Sequence, residues 1–337
     1  MAHEKNQKTT SDLGEHRIIE IIEKHLTPMP DIAVPFGDDI SAINLDDKRV
    51  AVLKTDMIVG KTDIPKEMNL YQAARKAIVM NVSDFASKGV KPTVALVALG
   101  LPRHFKESDV ETIAQGLNAG AREYDAYVVG GDTNEATDLI ISVSIYGTAE
   151  KSRLMLRSGA KPGDILAVTG LFGKTTGGLR LLLAGGIASQ ELQRSLTEAV
   201  FMPKAKLSEG LALADCDMVS ASIDSSDGLA WSLHEISHLS NVGFLIDKVP
   251  VAEEALQFAE FNRLNASDLA LYGGEEYELV VTVKPDGWAV AEAAVEGVGG
   301  KLLPIGHATE DKQILLDVNG EKCVVQTRGW EHFKSEI

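Results

Sequence analysis

The chain has 337 residues, 45% of them hydrophobic and 24% charged, the balance of a soluble globular protein long enough for two domains. Its net charge of −16 at pH 7 argues against nucleic acid or an anionic membrane surface as the main partner. The opening stretch is polar, no run reaches the roughly 18 apolar residues of a membrane span, and Cys216 and Cys323 lack C-x-x-C spacing. We therefore expect a cytoplasmic protein with reduced, packed thiols.

Residues 1–12 read as a disordered tail, followed by a short helix near 14–25 and the link LTPMPD. Strand-like runs ISAINL and RVAVLKTD come next, joined by a polar turn at Asp46, Asp47 and Lys48. The run NLYQAARKAIVMNVSDFASKG predicts a long helix that stops at Gly89. After the apolar strand TVALVALGLP, a capping box at Ser108 and Glu111 opens a helix with Val110, Ile113, Ala114 and Leu117 on one face. AYVVGGD and LIISVSIYG add two strands. Residues 13–150 thus form a ββαβαββ unit, whose sheet has to cover its apolar surface with helices or with another subunit. The turn-rich RSGAKPGD places a boundary near residue 151. Beyond it, in 151–337, strands ILAVTG, MVSASID, GFLIDK and YELVVTV alternate with helices over 174–185, 190–199 and 205–214, one after Gly228, and one near 286–297. The class is α+β (α/β) in two domains.

Two short patterns suggest chemistry that their context does not support. GLFGKTTGG ends like a phosphate loop, but the required glycine five residues before Gly173 is Val168, so a capped helix start fits better. HEISH, His234 to His238, matches a zinc-peptidase pattern. On a helix beginning at Leu229, however, His234 and His238 fall near 140° and 180°, roughly opposite the Leu229–Leu233–Ile236 stripe. They are expected to face solvent.

The aspartates carry the stronger signal. Asp38 and Asp39 precede a strand, Asp56 and Asp224 end strands, Asp132 follows one, and Asp227 lies three residues beyond Asp224. Each alone fits a turn or helix cap. Their repetition at strand ends can converge on one rim of a sheet. Asp84 and Asn81 extend the apolar arc of the long helix, where a carboxylate costs several kcal/mol unless paired or metal-bound. Clustered oxygens without Cys or His partners suit hard cations, above all magnesium bridging phosphates. The residues alone therefore point to a magnesium-dependent, phosphate-handling enzyme without a phosphate loop.

The motifs GDD (37–39), TD (55–56), NVSD (81–84), GGDT (130–133), RSGAKPGD (157–164), IDSSDGL (223–229) and GGEEYEL (273–279), with the closing GWEHF, occur in an order that resembles thiamine-monophosphate kinases of the aminoimidazole ribonucleotide synthetase-like superfamily. The resemblance implies a homodimer joined through N-terminal sheets, as a dimeric sheet or barrel. It implies ATP and several magnesium ions in a cleft between the domains. Asp39, Thr55, Asp56, Asp84, Asp132, Asp224 and Asp227 would be metal ligands, with Asp84, Asp132 and Asp227 central to catalysis. Gly131, Asp132, Arg157 and Ser226 would contact ATP, and Asp63, Glu275 and Trp330 the thiamine substrate. The implied reaction is in-line transfer of the ATP γ-phosphoryl group to thiamine monophosphate. Two positions depart from the family: Lys54 stands where a small hydroxyl residue is common, and Asp63 where many members carry histidine. Other readings are a superfamily ligase or kinase with another acceptor, or a non-catalytic nucleotide- and metal-binding dimer. A selenophosphate synthetase would need a reactive N-terminal cysteine and a hydrogenase-maturation homologue a terminal one, and this chain has neither.

Overall fold

The computed structural model describes residues 8–333. Its first part runs α1 (Thr10–Leu13), α2 (Glu15–Glu23), β1 (Ser41–Asn44), β2 (Arg49–Val59), α3 (Gly60–Asp63), α4 (Leu70–Ser87), β3 (Pro92–Leu101), α5 (Glu107–Glu123), β4 (Tyr127–Glu135) and β5 (Ile140–Glu150). This keeps the order ββαβαββ, with α3 as an added turn. Helix α1 lies partly in the stretch read as a tail: the Asp12 carboxylate accepts from the Thr9 backbone N–H and hydroxyl, both at 2.8 Å, and closes the turn. Residues 1–7 of that stretch lie outside the described residues.

The five strands form one sheet in the order β1-β2-β5-β3-β4, antiparallel throughout except for the parallel pair β3 and β4. It is open, with β1 and β4 as edges, so a single chain closes no barrel among the described residues. All of β4 is exposed, and with it Leu53, Met57, Leu96, Tyr127, Val128 and Val129.

After a helical turn at Lys151–Arg153, the second part runs β6 (Ile165–Val168), α6 (Lys174–Ala184), α7 (Gln190–Phe201), α8 (Leu207–Cys216), β7 (Val219–Asp224), α9 (Leu229–Ser240), β8 (Gly243–Ile246), α10 (Glu253–Asn262), α11 (Ala266–Tyr272), β9 (Leu279–Val283), α12 (Trp288–Gly297), β10 (Leu303–Thr309), β11 (Ile314–Val318) and β12 (Glu321–Val324). Its seven strands are ordered β12-β11-β8-β10-β6-β9-β7. Helices α10 and α11 have no counterpart in the sequence reading. Ala252 gives α10 no side-chain cap, and Arg263, at φ 55°, ends it in a left-handed residue without glycine. Cys216 and Cys323 are free thiols, but Cys323 lies exposed on β12 rather than packed.

Helix α4 joins the two parts. Asn69 and Gln72 cap its start reciprocally, each side chain accepting from the other's backbone N–H at 2.9 and 3.0 Å. Gly89, at φ 65°, ends it. The helix packs on β2, β5 and α5 on one side and on β7, β9 and α8 on the other. Fourteen of its 18 residues are buried, including Arg75, Lys76, Asn81, Ser83, Asp84 and Ser87. A helix covered all round is ordinarily apolar, so each of these groups needs a partner. Arg75 finds Glu123 at 2.7 Å and the Pro203 carbonyl at 2.8 Å.

Helix α5 departs from its expected cap and face. It starts after Lys106, whose N–H donates to the Asp109 carboxylate at 2.8 Å, two residues before the anticipated box. Ile113 and Leu117 are buried as expected, but Val110 and Ala114 are exposed and Gly116 and Gly120 are buried instead. The glycines set the distance between α4 and α5: a Cβ on Gly116 would lie 2.3 Å from the Tyr71 carbonyl oxygen. Gly116→Ala gains about 1 kcal/mol of helix propensity, yet forces two backbones apart at a cost of about 1–3 kcal/mol or more. The clash should win, and a lower urea midpoint is expected; an unchanged or higher midpoint would show that the helices separate freely.

Candidate active site beside helix α4

The loop before β1 delivers Asp38 and Asp39 beneath the C-terminal end of α4. Asp39 is buried. One of its oxygens accepts from Arg157 Nε at 2.7 Å, and the other from Ser87 Oγ at 2.7 Å and Lys88 Nζ at 2.8 Å. Lys88 is fully buried and also meets Asp38 at 2.8 Å and the Ser222 carbonyl on β7 at 2.6 Å. Arg157 reaches Glu235 on α9 at 3.0 Å. Burial alone would raise the Asp39 pKa, but Arg157 and Lys88 hold it well below the usual carboxylate range.

Asp84 comes from α4 and Asp224 from the end of β7. Oxygens of Asp39, Asp84 and Asp224 all lie within 4.8 Å of one another. Burial pushes Asp84 well above the ordinary carboxylate value; Lys54 opposes this, while Asp224, Asp56 and Asp39 add to it. Asp224 is raised to about 6 by burial and then by Asp39, although Ser83 Oγ donates to it at 2.7 Å. Asp227 is raised to about 7 by burial, then by Asp224 and Glu15.

Strand β2 supplies the next residues, and its pleat divides them. Lys54 and Asp56 alternate inward: Lys54 Nζ lies 3.1 Å from Asp84 and 3.3 Å from Asp56. Thr55 points to the opposite face. Its hydroxyl donates to the Val143 carbonyl at 3.1 Å and accepts from Ser144 Oγ at 3.0 Å, so it does not join the carboxylates. Asp132 is also apart. On β4 it registers with Ala98, then Ser142, then Met57 on β2. Three strand spacings, about 14 Å, separate it from β2, and this pairing puts it on the Met57 face of the sheet, opposite the face that carries Lys54 and Asp56. Gly131 adjoins it, and a Cβ there would lie 1.8 Å from the Val97 carbonyl oxygen, reason enough for glycine.

Beside the carboxylates opens a cavity of about 600 Å³, whose lining includes Asp63, Lys76, Ser226, Asp227, Glu275 and Trp330. Trp231, Tyr272 and Tyr277 add aromatic wall. Three loops are laced together here: Glu275 N–H donates to the Ser226 carbonyl at 2.6 Å, Tyr277 N–H to the Ser225 carbonyl at 3.1 Å, and Trp330 N–H to the Asp227 carbonyl at 3.0 Å. Glu275 and Tyr277 hold left-handed backbone at φ 64° and 54°, strain that persists only where the surroundings impose it. That conformation aims Glu275 at the buried Lys76, 2.6 Å away. Asp63 closes the turn after β2 by accepting from Val59 N–H at 2.8 Å.

The two discounted patterns resolve in physical terms. At the start of α6, Glu276 accepts from the N–H groups of Gly173 at 2.7 Å and Thr175 at 3.1 Å, occupying the amides a phosphate would need. His238 is exposed as expected, but His234 is not fully solvated: it is half-buried, with Nε2 at 3.2 Å from the Val325 carbonyl. Neither histidine belongs to a potential metal group among the described residues. Lys76, Lys88 and Glu235 escaped the sequence reading. A lysine on a final helical turn, such as Lys88, ordinarily reads as a solvated dipole partner, and only the fold shows it enclosed.

The family model described as AIR synthase related protein, N-terminal domain, matches residues 37–149, and that of the C-terminal domain matches 161–319. A thiamine-monophosphate kinase of Nitrosopumilus maritimus is 33% identical over 324 residues, 96% of this chain and 100% of the relative. The enzyme of that name from Pyrococcus horikoshii is 36% identical over 300 residues, 88% of this chain and 91% of the relative. A solved structure described as AaThiL complexed with AMPPCP and TMP superimposes with a TM-score of 0.84 at 28% identity, covering 97% of this chain and all of that one. The chain belongs to the thiamine-monophosphate kinase family, built from the N- and C-terminal domains of AIR synthase related proteins.

Proposed function

We propose that this chain transfers the γ-phosphoryl group of ATP to the phosphate of thiamine monophosphate, giving thiamine diphosphate, with magnesium held by Asp39, Asp84 and Asp224. The observation that carries the reading is the convergence of these three carboxylates within 4.8 Å, beside a cavity of about 600 Å³. Their donor set is all oxygen, which suits magnesium. Asn81 Oδ1, three residues before Asp84 on the same helix, is buried without a hydrogen-bond partner among the described residues, a further oxygen available to a cation or its water. Bound there, magnesium would neutralise and align phosphate oxygens.

The chain's own residues do the rest. Arg157 stands partly exposed beside Asp39 and offers a planar guanidinium to phosphate. Ser226 and Asp227 carry the carboxylate cluster into the cavity. Trp330 presents an indole at its rim, a suitable partner for a cationic ring. Glu275 adds a carboxylate whose charge is already balanced by Lys76. The acceptor phosphate is largely ionised at neutral pH, with a second pKa of about 6, so no general base is needed. Positioning and charge neutralisation suffice.

Asp132, Gly131 and Thr55 enter this reading through a second chain. The exposed apolar residues of β4 and the outer sheet face form the kind of contiguous patch that marks an interface. We place a homodimer there, which would cover β4 and bring its acidic end against the partner.

Incubation with γ-labelled ATP, magnesium and thiamine monophosphate is expected to label thiamine diphosphate, and chelation to stop it. Asp84→Asn should lower kcat by more than the roughly 10–100-fold seen for outer-shell metal partners, while leaving the far-ultraviolet circular dichroism spectrum unchanged. Full activity in this variant would remove Asp84 from the site, and labelled product other than thiamine diphosphate would sink the acceptor.

A second outcome follows from the raised carboxylates. Asp224 and Asp227 have folded pKa values near 6 and 7 against 3.8 when unperturbed. Folding favours their protonated forms, so their contribution to stability falls as pH rises from about 4 to 7 and stays low above it. A cation binds the ionised forms and offsets that loss. Magnesium should therefore raise Tm more at pH 8 than at pH 5.5; an equal or smaller shift at pH 8 would contradict this.

A further inference from the structure

Lys54 sits where two carboxylates from different elements meet. Its side chain is only 20% exposed, enclosed between β2 and α4, and its ammonium lies 3.1 Å from Asp84 and 3.3 Å from Asp56. Strand alternation directs it and Asp56 to the same side, so no rotation of β2 could separate the lysine from the cluster without turning Asp56 away as well. A divalent ion bridging Asp56 and Asp84 would occupy the same space, since magnesium binds oxygen at about 2.0–2.1 Å. Two cations cannot share that volume. An ammonium has three donors and no acceptor. Asp84 and Asp56 pair with it as ions, and its protons can also serve a phosphate oxygen or water.

We propose that the Lys54 ammonium is a built-in cation that takes the place of one divalent ion between Asp56 and Asp84, so that the chain binds one ion fewer than a neutral residue at this position would allow. This rests on the magnesium-dependent reading above. Lys54 contributes a single charge where an ion would contribute two, and it does so at any magnesium concentration. Asp84 is then shared, with one oxygen toward Lys54 and its other face toward Asp39 and Asp224. The remaining divalent ions are confined to that side, next to the cavity through Asp227.

The test counts ions. Manganese binding to the wild-type protein, Lys54→Ser and Lys54→Gln is measured by electron paramagnetic resonance with saturating non-hydrolysable ATP analogue, alongside phosphoryl transfer by the wild type. Each neutral variant is expected to bind one more ion per chain than the wild type. Where a variant does not fold, a 15N spectrum of the lysine ammonium groups in the wild-type protein decides: the Lys54 resonance should keep its ion-paired position at saturating magnesium. Equal ion counts in an active wild type and its variants, or a Lys54 resonance that moves to that of a solvated lysine, would overturn the inference and leave the function standing. Absence of both ion binding and transfer in the wild type would remove the function and this inference together.

Discussion

Helix α4 is enclosed by its own sheet on one side and by β7, β9 and α8 on the other, and it carries charge through that enclosure. Every such group has to be answered by a partner reaching in from elsewhere, because breaking a buried pair costs about 3–5 kcal/mol. The partners come from the whole chain: Glu123 for Arg75, Glu275 for Lys76, Lys54 for Asp84, Asp38 and Asp39 for Lys88. Satisfying α4 therefore assembles the site. The loop before β1, strand β2, strand β7 and the strained loop before β9 are held in mutual register by the same pairs that neutralise the helix.

That arrangement explains the electrostatic character of the centre. Lys88 and Arg157 answer the charge of Asp39 and keep it ionised, whereas Asp84, Asp224 and Asp227 are left with more negative charge than the protein answers. Raised pKa values at three adjoining carboxylates mark an incomplete set of charges, of the kind that functional sites retain. Under the proposed function a divalent cation would complete it, and its binding would recover the stability forgone in keeping these groups close.

Much of this was legible because local signals and the fold agree. The ββαβαββ order followed from strand-length apolar runs and turn residues, and the limits of α4 from Asn69 and Gly89. The importance of Asp84 followed from its place on an apolar arc. What escaped depends on long-range geometry. Thr55 and Asp56 are adjacent in sequence, but the pleat sends them to opposite faces, and no motif distinguishes them. Asp56 and Asp132 read alike as strand-end residues, but both lie inside longer strands, β2 and β4, which β5 and β3 separate in the sheet order. The pairing of Arg157 with Glu235, of Lys76 with Glu275, and the glycine contact between α4 and α5 join residues far apart in the chain. Periodicity within either segment contains no trace of them.

The central claim is that the buried polar side of α4 is where a divalent cation meets the phosphates. Anomalous scattering from crystals grown with manganese and a non-hydrolysable ATP analogue tests it most directly. The account requires a peak within about 2.5 Å of oxygens from both Asp84 and Asp224, in keeping with oxygen coordination of hard cations. Ordered nucleotide with manganese bound only elsewhere, and Asp39, Asp84 and Asp224 free of metal, would contradict it.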